Sequence, residues 1–204
     1  PAPRAPGAPF GILIHADPGE VLYEHNPHDR MLIASTTKIM TAIVVLENCA
    51  LGEEVEADSR SAGAEGSSMY LKAGERYTVE DLLYGLMLVS GNDAALALAI
   101  HTAGSVEGFA RLMNEKAREL GMTGSHFENP HGLDAEGHYS TARDMAVLAA
   151  HCMANEDFAR IVSTRHAVVA GQDIYNHNKL LGMYDGCIGV KAGYTMAGGR
   201  TLVA

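Results

Sequence analysis

Ser35-Thr36-Thr37-Lys38 places a hydroxyl and an amine three residues apart, a spacing that on a helix projects both from the same side, one turn from each other. A serine hydroxyl is a poor nucleophile until a base takes its proton. A lysine can do so only where desolvation or neighbouring charge lowers its pKa. The apolar residues that follow, Ile39, Ile43, Val44, Val45 and Leu46, predict a helix buried on most sides, which is such a setting. Alone, the spacing also reads as a helix N-cap serine followed by a surface lysine.

Two further groups have chemistry of their own. Ser90-Gly91-Asn92 reads as a tight bend between helices, where a hydroxyl can relay a proton and an amide can hold a substrate carbonyl; its plainer reading is a C-cap glycine and an N-cap asparagine. Lys191-Ala192-Gly193 falls on a predicted strand, where glycine admits a close backbone neighbour and lysine offers charge to an anion. A solvent-facing lysine beside a bulge glycine would account for it equally.

The elements that must position these groups are legible in part. Phe10 to His15 and Val21 to His25 are strand-like, and Ala16-Asp17-Pro18-Gly19 supplies the turn of an antiparallel hairpin. Glu53 to Gly74 is polar and Gly- and Ser-rich, predicting loops and short strands. Thr78 with Asp81 is a capping pattern for a helix to about Val89, and Asn92 is the expected cap of a helix running to about Thr102. Ser105 is expected to cap an amphipathic helix ended by Gly121, and Ser140 or Thr141 to open another that ends before about Asn155. Ile188 to Thr195 and Thr201 to Ala204 are the last predicted strands, with a turn between them. Strands at both ends around a block of helices suggest an α+β fold in which the two ends build one antiparallel sheet.

Lys and Arg total 15 against 25 Asp and Glu, a formal net charge of −10. With no basic run, nucleic acid is excluded as a partner, because binding it requires clustered cations. Cys49, Cys152 and Cys187 form no Cys-x-x-Cys pair and have no histidines at zinc spacing, so they read as small apolar side chains. His126, His131 and His138 with Glu128 and Asp134 match no zinc pattern either. Met40, Met87, Met113 and Met145 sit at apolar helical positions and read as core, while Tyr139, Tyr175 and Tyr194 read as packing or cleft-wall residues. No apolar run reaches the roughly 20 residues of a membrane span. The Pro- and Ala-rich residues 1–9 are expected to be a linker, of the kind left after removal of a secretory signal.

Taken together and in this order, the three groups resemble the signature set of penicillin-binding proteins and class A β-lactamases. The similarity runs through Ala34-Ser35-Thr36-Thr37-Lys38-Ile39-Met40-Thr41, Ser90-Gly91-Asn92-Asp93-Ala94, His131-Gly132-Leu133-Asp134, Ser140-Thr141-Ala142-Arg143-Asp144-Met145, Asn178-Lys179-Leu180-Leu181 and Gly189-Val190-Lys191-Ala192-Gly193-Tyr194-Thr195. On these stretches the chain resembles the serine D-alanyl-D-alanine carboxypeptidases, the low-molecular-mass penicillin-binding proteins, far more than the β-lactamases.

That resemblance implies a penicillin-binding, β-lactamase-like fold: an antiparallel sheet flanked by helices, with residues 50–150 forming most of a helical lobe within a catalytic domain spanning 10–204. It implies Ser35 as acyl-enzyme nucleophile, Lys38 as general base, Ser90 as proton relay, and Asn92, Lys191, Gly193, Tyr194 and Thr195 as substrate-binding residues. The backbone N–H groups of Ser35 and Tyr194 would form the oxyanion hole. Neither cofactor nor metal is implied. The implied partners are a peptidoglycan stem peptide and β-lactams, and the implied location is outside the cytoplasmic membrane, with membrane association only through segments absent here.

Two departures qualify the resemblance. Ala192 stands where the family usually has threonine, which predicts weakened turnover, and the chain stops before a further sheet strand that these enzymes normally carry. Ala192 also keeps open an alternative reading, a β-lactam or muropeptide sensor that is acylated without being hydrolysed. A β-lactamase or serine esterase using the same Ser-x-x-Lys chemistry is a third reading; the lactamase lacks a recognisable acidic deacylation element, and the esterase leaves the second and third groups unexplained.

Overall fold

The structure, a computed structural model, describes residues 7–17 and 19–204. Most of the expected linker and Pro18 of the first turn lie outside the described residues. Strands β1 (Gly11–Ile14) and β2 (Val21–His25) form the first hairpin. A 3₁₀ turn, Ala34–Thr37, leads directly into α1 (Lys38–Asn48). After β3 (Glu54–Glu56), the short α2 (Ser59–Ala62) and β4 (Arg76–Thr78) come α3 (Val79–Leu88), α4 (Asn92–Ala103), α5 (Val106–Glu119), α6 (Ala142–Met153) and α7 (Glu156–Ser163). The hairpin β5 (His166–Val169) and β6 (Gln172–Tyr175), the short α8 (Leu180–Met183) and the hairpin β7 (Lys191–Thr195) and β8 (Gly199–Val203) complete the order.

α1 is the axis of the core. Ile39, Met40, Ala42, Ile43, Val44 and Val45 are all buried, and α3, α4, α5, α6 and α7 each pack against this helix. That burial is what the unbroken apolar run beginning at Ile39 dictates, since a helix apolar all round must be enclosed. The caps fall where short polar side chains precede the helices. Thr78 and Asp81 form a reciprocal capping box, and Ser105 and Thr141 accept hydrogen bonds from the N–H groups of Gly108 and Asp144. Gly121, at φ +68°, takes the left-handed conformation expected after α5.

Three expectations are corrected. The strands do not join into one sheet; among the described residues they form four separate two-stranded antiparallel ladders. The hairpins β1–β2 and β7–β8 both lie against α6, and among the described residues each strand pairs with its own hairpin partner. Asn92 is not a cap but the first residue of α4, with Gly91 at the N-cap and no side-chain capping bond. Strand β7 begins at Lys191 rather than Ile188, and β8 begins at Gly199 rather than Thr201. The helix expected to end before about Asn155 does so, at Met153; Asn155 then caps α7 by accepting from Phe158 N, and β5–β6 turns through Ala170 (φ +47°) and Gly171 (φ +77°), the two positive φ values of a type I′ hairpin.

No helix among the described residues is long and apolar enough to cross a membrane.

Candidate active site

The 3₁₀ turn places Ser35 and Lys38 one tight turn apart, with side chains eclipsed at i and i+3. Lys38 Nζ lies 3.0 Å from Ser35 Oγ, 2.8 Å from Asn92 Oδ1 and 2.7 Å from the carbonyl oxygen of His131. Lys38 is fully buried. Its pKa is held well below the ordinary lysine value, first by burial and then by the nearby Lys191 charge, with Asp93 opposing. Asn92 Oδ1 and the His131 carbonyl can only accept, so they take both N–H groups of a neutral amine and leave its lone pair facing the Ser35 hydroxyl. The site is therefore arranged for proton transfer from Ser35 to Lys38.

The turn is shaped by what precedes it. Ala34 sits at φ +47°, an unfavourable left-handed conformation for a residue with a Cβ. Its carbonyl is met by Gly132, where any Cβ would overlap that carbonyl. Thr37 Oγ1 is 2.7 Å from His138 Nε2, and Thr41 Oγ1 donates to the Pro130 carbonyl at 2.6 Å. The segment 129–138, which carries much of the histidine-rich cluster, thus works as a brace behind the Ser35 turn. Glu128 N donates to His138 Nδ1, so the neutral ring carries its proton on Nε2 and donates it to Thr37. Burial, and then the charge of His126, lowers the His138 pKa to about 4; burial, and then the Lys38 and His138 charges, does the same for His131.

Ser90 occupies the bend between α3 and α4 at φ +62°. The bend is closed by Gly91 N donating to the Gly85 carbonyl at 3.0 Å and Asn92 N donating to the Ser67 carbonyl at 2.7 Å. Released from capping, Asn92 spans the site, accepting from Lys38 and donating through Nδ2 to the Glu65 carbonyl at 2.6 Å. Ser90 faces the cleft, but among the described residues no hydrogen bond joins its hydroxyl to Ser35 or Lys38.

β7 forms the opposite wall. At Gly193 a Cβ would stand 2.8 Å from Ser35 N and 2.6 Å from Thr201 Oγ1, so only glycine lets the strand backbone run this close to the turn. Lys191 is buried; its Nζ donates to the Ala192 carbonyl at 2.8 Å, and burial lowers its pKa to about 8. Ser35, Ser90, Lys191, Gly193 and Tyr194 line a cleft of about 550 Å³. Lys38 and Asn92 sit buried behind its wall. Thr195 stands at the end of β7, where its hydroxyl accepts from Gly198 N at 2.9 Å in the β7–β8 turn, and it is not among the residues that line this cleft.

The family pattern described as D-alanyl-D-alanine carboxypeptidase matches residues 4–204. The chain belongs to this family. It is similar to the carboxypeptidase DacF of Bacillus subtilis, at 38% identity over 92% of this chain and 51% of that protein. It is also similar to the crystal structure of a D-alanyl-D-alanine carboxypeptidase from Mycobacterium tuberculosis, with TM-score 0.93 and 38% identity over 98% of this chain and 77% of that one. A mutant DD-transpeptidase of Streptomyces gives TM-score 0.91 and 34% identity over 97% of this chain and 85% of that one. The chain spans about half the length of DacF. The match to these solved structures places it in the penicillin-binding fold class with its α+β architecture.

Within this member of the D-alanyl-D-alanine carboxypeptidase family, the structure brings forward three residues that sequence reasoning passed over. Asp93 is fully buried and accepts from Ser68 Oγ, Met69 N and Leu71 N, tying the 68–71 loop to the start of α4; its position beside Asn92 was the only signal. His177 and Arg200 both line the cleft. His177 N donates to the Leu88 carbonyl, and burial followed by the Lys191 charge lowers its ring pKa. Neither carries a spacing that marks it in sequence, since each arrives from a different hairpin or loop. Among the described residues no carboxylate lines this cleft, although the chain is acidic in total.

Proposed function

We propose that the chain is the catalytic unit of a serine D-alanyl-D-alanine carboxypeptidase, spanning 10–204, with residues 50–150 contributing most of its helical lobe. Ser35 Oγ attacks the carbonyl carbon of the penultimate D-alanine while its proton passes to Lys38 Nζ. The oxyanion forms between the N–H groups of Ser35 and Tyr194, on the two walls that Gly193 allows to approach. Asn92 holds Lys38 and the substrate side of the bend, and Lys191 attracts the terminal carboxylate. The C–N bond breaks as the amine of the last D-alanine takes a proton through Ser90, leaving an ester on Ser35. Water then hydrolyses the ester and restores the hydroxyl. A β-lactam amide opens in the same way, but its leaving nitrogen stays tethered to the acyl group, so the adduct persists.

The observation that carries this reading is the enclosed Lys38 amine, its pKa lowered by burial, lying 3.0 Å from the Ser35 hydroxyl, with Asn92 Oδ1 and the His131 carbonyl placed to take its N–H groups. The substrate is then a peptidoglycan stem peptide ending in D-Ala-D-Ala, and the working location is outside the cytoplasmic membrane, where that polymer is built. The test is intact mass after incubation with benzylpenicillin, alongside D-alanine release from such a peptide, for the parent and for Ser35→Ala. An adduct and D-alanine release in the parent alone support the reading. An adduct without release would point to the sensor, and no adduct would overturn the assignment of Ser35.

A further inference from the structure

At the ends of α1 and α4 remote from Lys38 and Asn92, three residues that sequence spacing keeps apart come together. Cys49 follows the last turn of α1, Glu53 ends the turn that leads to β3, and His101 lies in the last turn of α4. One donor atom from each, a sulfur, a carboxylate oxygen and an imidazole nitrogen, lies within 4.8 Å of the other two. We propose that Cys49, Glu53 and His101 form a binding site for one zinc-class divalent cation, with the fourth position open to water.

The donor set is the one zinc takes, and bonds of about 2.0 to 2.3 Å to sulfur, nitrogen and oxygen hold tetrahedral ligands roughly 3.5 Å apart. His101 Nε2 and Glu53 Oε2 are already 3.0 Å apart. The carboxylate is held in place from behind. Ala50 N donates to Glu53 Oε1 at 2.6 Å, and Glu53 N donates to the Ala50 carbonyl at 3.1 Å, closing the 50–53 turn. An outer hydrogen bond of this kind orients a metal ligand. Thr102 Oγ1 donates its own proton to the Leu98 carbonyl, so in the 3.4 Å contact between Cys49 and Thr102 the thiol is the donor. The sulfur lone pairs are left available.

Binding balances without a redox step. The cation displaces one proton from the Cys49 thiol and replaces the His101–Glu53 hydrogen bond; the imidazole binds through Nε2 with its ring proton moved to Nδ1, and the thiolate and carboxylate cancel the charge of the ion. Cys49 is half-buried while Glu53 and His101 are exposed, so the ion has a path from solvent. It would clamp the far ends of the same two helices whose near ends are joined by the Lys38–Asn92 hydrogen bond. The 11 residues of α1 separate the two by about 16 Å, so the ion acts on the stability of the helix pair and not on the chemistry at Ser35.

Cobalt(II) titration of the reduced full chain tests the proposal. The expected result is one equivalent bound, with a near-ultraviolet thiolate-to-cobalt band and the visible bands of tetrahedral cobalt, displaced by one equivalent of zinc. Cys49→Ser removes the thiolate band, and His101→Ala and Glu53→Gln each weaken zinc binding by roughly tenfold or more, while Cys187→Ser changes nothing. Saturating zinc raises the melting temperature of the parent and not of His101→Ala. Because Glu53 and His101 are exposed, their variants are expected to keep the parent circular dichroism, which separates loss of a ligand from loss of the fold. No thiolate band in the parent, a band that survives Cys49→Ser, or parent-like zinc affinity in both folded exposed variants overturns the site.

Discussion

Asn92 Oδ1 accepts from Lys38 Nζ at 2.8 Å across the junction of α1 and α4, while the same amide donates to the Glu65 carbonyl. One side chain thus sets the orientation of the proposed base and ties down the loop beside the cleft. Asn92→Ala leaves a buried Lys38 N–H without its acceptor, a loss of about 1 to 3 kcal/mol, and acylation by benzylpenicillin is expected to slow by roughly 10- to 100-fold. Asn92→Asp sets a carboxylate beside the amine and raises its pKa, so the acid limb of the acylation pH profile moves to higher pH. An unmoved limb would count against Lys38 as the base.

Lys191 is charged below about pH 8 and neutral above it. Its attraction for a substrate carboxylate is therefore present at neutral pH and lost as pH rises through that value. The apparent affinity for a D-Ala-D-Ala peptide is expected to fall on the alkaline side, and Lys191→Arg, which stays charged, is expected to remove that alkaline limb. Steady-state KM measured from pH 6 to 10 in both proteins checks this.

Gly193→Ala forces a Cβ to within 2.8 Å of Ser35 N and 3.1 Å of Thr36 N, both backbone atoms that cannot swing aside. β7 must retreat from the turn, and a displacement of about 1 Å at a reacting centre costs on the order of 100-fold in rate. The acylation rate constant is expected to fall by about that factor while the circular dichroism of the variant stays that of the parent.

His138 is fully enclosed and has a folded pKa of about 4, below the ordinary value of 6.5. The unfolded chain therefore binds the proton first as pH falls, so the stability tied to the neutral ring is present above pH 6.5 and lost between 6.5 and about 4. The loss is about 3 kcal/mol, because the charged ring is disfavoured first by burial and then by the His126 charge; protonating Nδ1 also breaks the bond from Glu128 N. His138→Gln is expected to lower the urea midpoint at pH 7 and to flatten its decline toward pH 4.

Ala192 leaves its stretch of the cleft wall without a hydroxyl. Ala192→Thr adds a donor beside Lys191, and a hydrogen bond to a charged group contributes about 1.5 to 3 kcal/mol. D-alanine release is expected to rise by roughly 10- to 150-fold; an unchanged rate would show that Arg200, which lines the same cleft, or another donor already serves the carboxylate.

The sequence by itself determined those features that are local in the chain. The i, i+3 pair Ser35 and Lys38, the apolar run that encloses α1, the caps at Thr78, Ser105 and Thr141, and the left-handed Gly121 each depend on residues within one or two turns of one another, and each is found where it was expected. Only the tertiary structure decided what those features face. The release of Asn92 from capping to hold Lys38, the approach of Gly193 to Ser35, the brace of His138 on Thr37, the entry of Arg200 and His177 into the cleft and the convergence of Cys49 with His101 all join residues far apart in the chain. Periodicity reports which face of an element is apolar but carries no information about which other element will meet it. That choice is made by packing around α1, as is the separation of the two terminal hairpins into ladders of their own.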